Sequence, residues 1–205
     1  MAESAVITDG LLAKAKMLAQ FLALAWILWV INAALLGKGL NRLGIRPRTI
    51  GGLWGVGFAP FLHGSVDHLV GNTTLFLILG SLVLLKGMDN FVIVSITGLL
   101  VSGLGTWLLG GDNTNHYGAS GVIFSYLGFL LLRGYYDREV MSALISLVVC
   151  IFYGSLIWGV LPLPRLEKRL GVSVSWEMHF FGFMGGAMLA RFLDAVKASL
   201  PAHPF

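Results

Sequence analysis

Charged residues occur in this sequence in short clusters, and the stretches between the clusters are long, apolar and nearly free of charge. A helix that crosses ~30 Å of hydrocarbon needs roughly 20 such residues. The chain is 57% hydrophobic and only 12% charged, which separates it from average globular domains. We therefore expect an all-α membrane protein. Its six candidate transmembrane helices are residues 17–37, 67–85, 91–110, 118–132, 140–161 and 176–193.

The same pattern predicts a single domain. Residues 17–195 contain all six stretches, and we expect them to form one six-helix bundle. Residues 1–16 and 196–205 are too short to fold alone and are expected to be tails. The first stretch is longer than the apolar segment of a signal peptide, and no small-residue cleavage site follows it, so we interpret it as a retained helix.

Charge and cysteine content narrow the range of partners. The 14 Lys and Arg residues divide evenly between the two sides of the predicted bundle, so the positive-inside rule leaves its orientation open. A net charge of +4 is too small to indicate nucleic-acid binding and is compatible with contact with a lipid bilayer. Cys150 is the only cysteine, so no intrachain disulfide can form.

Polar side chains that are costly in a membrane lie at the start of every second apolar stretch. His68 and Asn72 begin the second, Ser120 the fourth and His179 the sixth. These three helices run in the same direction, so their starts share one face. The helical distance from Ser120, His179 or Asn72 to the next cation is roughly 18–21 Å. If those cations mark one boundary of the core, all three groups lie ~10 Å below the other surface.

Ser120 has two readings. A serine at a helix start is usually an N-cap. A histidine at the same depth favours a nucleophile instead, because serine reacts only when a neighbouring base removes its proton. His179 is the candidate base. Glu177 points to another side of the helix, so a Ser-His dyad is the more plausible arrangement.

Small residues are expected to bring the fourth and sixth helices close together. In the sixth helix, glycines follow His179 at the third and seventh positions, on the same face. In the fourth, glycines lie beside and two turns beyond Ser120. Such small residues allow two backbones to approach closely. The expected packing positions are Gly121, Gly128, Gly182 and Gly186.

His68 and Asn72 also have two readings. In the first, they form buried polar contacts between helices. Alternatively, they donate hydrogen bonds to a developing oxyanion, together with backbone N–H groups at the start of the fourth helix. A metal site that includes His63 is disfavoured, because His63 and His68 do not share a helix face and no carboxylate or cysteine lies at ligand spacing.

Three motifs of the sequence together resemble the rhomboid family of intramembrane serine proteases. They are Gly118-Ala119-Ser120-Gly121, the H-x4-H-x3-N pattern of His63, His68 and Asn72, and the H-x2-G-x3-G pattern of His179, Gly182 and Gly186. All three occur in the order typical of the family, and the six-helix layout covers nearly the whole chain.

This resemblance implies a Ser-His dyad that cleaves transmembrane segments of single-span membrane proteins, through an acyl-enzyme and without a cofactor. Ser120 would be the nucleophile and His179 the general base. Asn72, His68 and the backbone N–H of Ser120 would bind the oxyanion, and Gly118 would shape that site. The resemblance also implies a cytoplasmic N-terminus and an active site open to the other face. A compact chain of this kind suits a bacterial plasma (inner) membrane.

The sequence departs from the family pattern at two places. Many relatives have Tyr one turn after the nucleophile, where this chain has Phe124. A Trp-Arg pair found in the first loop of some members is absent between residues 38 and 66, a region expected to lie irregularly in the membrane interface.

Residues 162–175, which begin with Pro162 and Pro164, are a candidate cap over the site.

Two other functions remain as alternatives. A transporter or channel would place polar groups through both leaflets, whereas these groups cluster in one half. A membrane chaperone that binds transmembrane segments would fit the fold but has no use for a Ser-His pair.

Overall fold

The computed structural model describes residues 2–163 and 174–200. The predicted all-α fold is confirmed for this part of the chain. The candidate cap at 162–175 lies mostly outside the described residues, as do residues 201–205 of the predicted C-terminal tail. The helices are α1 (Ala2–Ala34), α2 (Ile50–Phe58), α3 (Val66–Leu85), α4 (Met88–Leu109), α5 (Ser120–Asp137), α6 (Val140–Tyr153) and α7 (Trp176–Ser199), with short 3-10 segments at Gly39–Leu43, Ala59–Phe61 and Gly154–Val160.

Within residues 2–163 and 174–200, four segments are long and apolar enough to cross a membrane. They are Gly10–Ala34, Val66–Leu85, Met88–Leu109 and Val140–Val160. The sequence predicts six spanning helices, and the remaining two, α5 and α7, are less apolar. For α5 the reason is its position: 12 of its 18 residues are buried. It contacts α3, α4, α6 and α7, so its polar residues face protein.

The contact between α5 and α7 is the most extensive in the molecule and depends on glycine. A Cβ atom added to Gly182 would collide with the Gly121 carbonyl of α5, and one added to Gly186 would collide with the Ser125 carbonyl. In return, Gly128 of α5 lies against the Phe183 carbonyl of α7. The two backbones therefore touch directly, an approach that side chains at these positions would prevent.

Several helix boundaries differ from those expected from the sequence. Residues 2–16 are helical and continuous with the first apolar stretch, and α7 runs to Ser199. The predicted helix 140–161 ends at Tyr153 and continues as the 3-10 segment Gly154–Val160. Gly154 stands at this change, in keeping with the low helix propensity of glycine.

The segment 38–66 is more helical than the sequence suggests, because it contains α2. The buried residues of α2 are Gly52 and Gly55, which lie against the backbone of residues 44–46. Ile50, Trp54 and Phe58 point outward and are 86%, 68% and 47% exposed. The glycine face of α2 thus allows it to lie flat on the loop that precedes it.

Candidate active site

Ser120 is the first residue of α5, and it is buried. The N-cap position is occupied by Ala119, and no side chain caps this helix. Ser120 is therefore not an N-cap in the usual sense, and its hydroxyl is not committed to the helix end. The backbone N–H groups of the first turn are likewise available to an incoming oxygen.

Gly118 lies just before α5 and not within it, which corrects the predicted helix 118–132. Its φ is +127°, a conformation that L side chains rarely adopt and that is incompatible with a helix. Its N–H donates to the Ala59 carbonyl at 2.8 Å. A Cβ atom at Gly118 would lie 2.8 Å from His68 Nε2 and 3.3 Å from Asn72 Nδ2. Both of these nitrogens therefore face the backbone that leads into Ser120.

Asn72 is held by His63. The Asn72 side chain is buried, and its Nδ2 lies 3.0 Å from His63 Nε2. An amide nitrogen only donates, so His63 Nε2 accepts and the imidazole proton is on Nδ1. Burial and the charge of nearby His68 lower the pKa of His63 to about 4, which keeps the ring neutral and able to accept. The His63 and His68 rings meet edge to face, with centroids 5.0 Å apart.

His179 is oriented by two contacts. Its ring stacks on Phe124 with centroids 4.0 Å apart and an interplanar angle of 7°. Its Nδ1 lies 3.0 Å from the Gly159 carbonyl, at the end of the 3-10 segment that follows α6. A carbonyl only accepts, so Nδ1 carries the proton and Nε2 is the free basic nitrogen of the neutral ring.

Helix packing relates Ser120 to His179. Phe124, under the His179 ring, is one turn after Ser120 on α5, and Gly121 touches Gly182 of α7, three residues after His179. No hydrogen bond joins the Ser120 hydroxyl to the His179 ring in the described part of the chain. The structure thus places His68 and Asn72 beside Gly118, just before α5, and His179 beside Phe124, one turn into α5.

The site also includes residues that the sequence did not single out. Gly159 acts through its backbone carbonyl, for which a sequence carries no signal. His63 appeared only as a motif position and an unfavoured metal ligand. His116 and Ser175 lie beside the site in loops and are described below. Among the described residues, no three His, Cys, Asp or Glu side chains lie close enough together to hold a metal ion.

The fold and the site define a class: an all-α membrane protein with a buried serine and a histidine on two helices in backbone contact. Residues 51–195 match the family model of the Rhomboid domain. The chain is 40% identical over 180 residues to uncharacterized proteins of Mycobacterium tuberculosis and Mycobacterium bovis, covering 85% of this chain and 73% of each relative. An uncharacterized protein of Mycobacterium leprae is 37% identical over 180 residues, covering 85% and 69%.

The chain belongs to the rhomboid family of intramembrane proteases, as its three motifs indicated. It is an integral membrane protein.

Proposed function

We propose that this protein is a serine endopeptidase that cleaves transmembrane segments of single-span membrane proteins through a Ser120–His179 dyad. The observation that supports this most is the orientation of His179. Its Nδ1–H is engaged by the Gly159 carbonyl, and its ring stacks one turn beyond Ser120. A general base needs such a fixed ring with a free second nitrogen.

In the proposed reaction, His179 Nε2 takes the proton of the Ser120 hydroxyl as Oγ attacks the scissile carbonyl carbon. The tetrahedral intermediate collapses when the same proton passes to the leaving amine nitrogen, which breaks the C–N bond and leaves an acyl-enzyme. Water then attacks the ester, and His179 returns a proton to Ser120 as the acid leaves. Nδ1–H stays with Gly159 throughout, so the carbonyl takes the orienting role of a triad carboxylate.

The oxyanion would be bound by Asn72, His68 and the backbone N–H of Ser120. The Asn72 and His68 nitrogens lie so close to Gly118 that a Cβ atom there would collide with His68 and crowd Asn72, so glycine lets both nitrogens approach the backbone. The start of α5 adds the positive end of a helix dipole. His63 supports this site by accepting a hydrogen bond from Asn72 Nδ2. This bond fixes the orientation of the amide, so that its NH₂ group and not its oxygen lies beside Gly118.

The proposal also covers the topology of the protein and the membrane in which it lies. We infer six spanning helices, a cytoplasmic N-terminus, a bacterial plasma membrane and a site that opens to the opposite face without a cofactor. Although α5 and α7 are less apolar than the other spanning helices, they can lie within the membrane because protein covers them. α5 is surrounded by other helices, and α7 packs on α4 and α5. The depth of ~10 Å estimated for the site requires a water-filled cavity.

Cleavage of a single-span substrate in proteoliposomes tests the proposal. The wild type should cut it, and Ser120→Ala and His179→Ala should reduce the rate by about 10³-fold or more. Ser125→Ala is the matched control, since Ser125 is a buried serine of α5 whose hydroxyl bonds to the Val94 carbonyl, away from the site. Ser125→Ala should remain active.

Three results would contradict parts of the proposal. Proteolysis that persists in Ser120→Ala would remove Ser120 as nucleophile. Activity that survives in His179→Ala would remove the dyad. A wild type that binds varied transmembrane segments and cuts none would favour the chaperone.

A further inference from the structure

A hydrogen bond joins the two chain segments that enter the catalytic helices. His116 Nδ1 lies 2.6 Å from Ser175 Oγ. His116 is four residues before Ser120, and Ser175 is four residues before His179. The contact therefore connects equivalent points on the approaches to α5 and α7.

His116 is fixed on every side, so it can act as a rigid anchor. Its Nε2 lies 2.6 Å from Thr114 Oγ1. Its backbone N–H and carbonyl pair with the carbonyl and N–H of Ile45 at 2.9 and 2.8 Å. The residue is only 6% exposed, so water does not compete for these bonds.

A second contact joins the same two segments. Glu177, in the first turn of α7, is 7% exposed, and its Oε1 accepts a hydrogen bond from the Gly111 N–H at 3.4 Å. Glu177 thus faces the loop before α5, while His179 stacks on Phe124 of α5. The sequence assigned Glu177 no part in catalysis, and the structure gives it this separate contact.

The glycine contact between α5 and α7 explains what a link at the Ser120 end of α5 contributes. Backbone against backbone fixes the separation of two helices, but surfaces without side chains have few interlocking knobs and holes to prevent sliding along the axis. A shift by one residue moves a side chain by ~1.5 Å along the helix. Displacements near 1 Å can cost a reaction about 100-fold.

We propose that His116 and Ser175 form a positioning pair that sets the register of α5 against α7, so that the Ser120 hydroxyl comes within reach of His179. Neither residue touches the substrate, and the inference rests on the proposed protease function. Glu177 and Gly111 act as an auxiliary contact between the same segments.

A double-mutant cycle on kcat tests the pair. The variants are His116→Phe, Ser175→Ala and their combination, all measured in proteoliposomes on the substrate used for Ser120→Ala. Each single change should lower kcat by about 10- to 100-fold. KM should stay within about twofold, because substrate binding is unaffected. The double variant should be no slower than the slower single one, since both remove the same contact.

Two further variants separate positioning from stability. Tyr126→Phe is the matched control: it removes a buried hydrogen bond of 2.7 Å between α5 and Ser95 of α4 without touching either approach segment. It should lower the unfolding midpoint and leave kcat unchanged. His116→Asn retains a polar group near the Nδ1 position and should recover part of the kcat lost in His116→Phe.

The outcomes are distinct. Multiplicative losses of kcat in the double variant, or a loss in Tyr126→Phe equal to that in His116→Phe, would overturn the positioning role. If wild type and Ser120→Ala cleave equally or not at all, the proposed function has failed instead. If Ser120 is required and His116→Phe matches the wild type in kcat, only the positioning pair has failed.

Discussion

The two ends of α5 both bury polar groups, yet they are built in opposite ways. At the end that begins with Ser120, the groups around the site are histidines and an amide, and Glu177 faces the neighbouring loop. Several of these polar atoms have no partner in the described part of the chain. At the other end, Arg133 lies among carboxylates and is almost fully paired. Ser120 and Arg133 are 13 residues apart on one helix, roughly 20 Å.

The charged end joins four helices. Arg133 donates to Asp137 at 3.0 Å, to Asp194 of α7 at 3.2 Å and to the Ala190 carbonyl at 3.1 Å. Lys86, after α3, contacts Asp137 at 3.1 Å, and Ser142 of α6 donates to the same carboxylate at 2.5 Å. Charges at this depth are tolerated because partners compensate their desolvation.

At the site end, by contrast, the polar groups have fewer partners. In the described part of the chain, His179 Nε2 makes no hydrogen bond, and each end has one buried nitrogen without a partner, Nδ1 of His63 here and Nε of Arg133 there. Polarity alone therefore does not mark a functional site in this bundle. A cluster in which charges are paired stabilises the bundle, and a cluster of neutral groups with spare donors and acceptors is suited to chemistry.

Arg133→Met should have the largest effect, on stability. It removes charge-assisted hydrogen bonds from a buried guanidinium to Asp137 and to the Ala190 carbonyl, and we expect a loss of about 3 kcal/mol of unfolding free energy. Asp137 keeps its contact with Lys86, and Asp194 is exposed, so neither carboxylate is left as an uncompensated buried charge. Activity per folded molecule should change little. Denaturant titration in detergent together with an active-site count measures both quantities. Arg191→Met is the control, because Arg191 is exposed and lies over the Phe192 ring. An Arg133→Met protein of normal stability and low kcat would erase the distinction between the two ends.

Asn72→Ala should have the reverse effect. It removes a proposed oxyanion donor, and kcat should fall by about 100-fold, or about 2.7 kcal/mol. The unfolding free energy should fall by only about 1 kcal/mol, for the lost bond to His63. Thr73→Val is the matched control, since the neighbouring Thr73 accepts a hydrogen bond from Trp26 outside the site. If Asn72→Ala keeps wild-type kcat, Asn72 is a structural contact between helices.

Phe124→Leu should have a smaller effect on the site end. It removes the ring stacked on His179, and a loss of up to about 1.5 kcal/mol, near tenfold in kcat, is expected. Phe124→Tyr keeps the ring and should remain within about twofold of the wild type. Steady-state cleavage rates of the two variants test this. Equal rates for Leu and Tyr would show that the Gly159 carbonyl alone holds His179.

Lys86→Met should have the smallest effect, about 1 kcal/mol or less, because Glu139 is mostly exposed and Asp137 keeps Arg133. Burial lowers the pKa of Lys86, but its hydrogen bonds to Glu139 and Asp137 outweigh burial and leave the pKa above 10.5. The stabilising charge is therefore fully present below pH 10.5 and is lost as pH rises through the folded-state pKa.

The unfolding midpoints of wild type and Lys86→Met should thus differ at pH 7 and converge above pH 10.5. A difference that stays constant over this range would show that Lys86 contributes by packing of its alkyl chain and not by its charge.

Much of the fold could be predicted because apolar stretches and helix ends depend on residues that are close together in the sequence. The start of α3 was placed within one residue and the start of α7 correctly. Gly118 was placed inside a helix because a sequence does not reveal backbone dihedrals. The six-helix count was supported for only four helices, since the lower hydropathy of α5 and α7 reflects neighbours that a single chain segment cannot show.

The sequence by itself determined that the chain is helical and apolar, that its polar residues begin alternate helices, and that its motifs are those of the rhomboid family. These properties follow from residue type and spacing. Only the tertiary structure decided that Gly159 orients His179, that His63 holds Asn72 and that His116 meets Ser175. Each of these contacts joins residues 9 to 59 positions apart. They form only when helix packing brings distant backbone and side-chain atoms within hydrogen-bond distance.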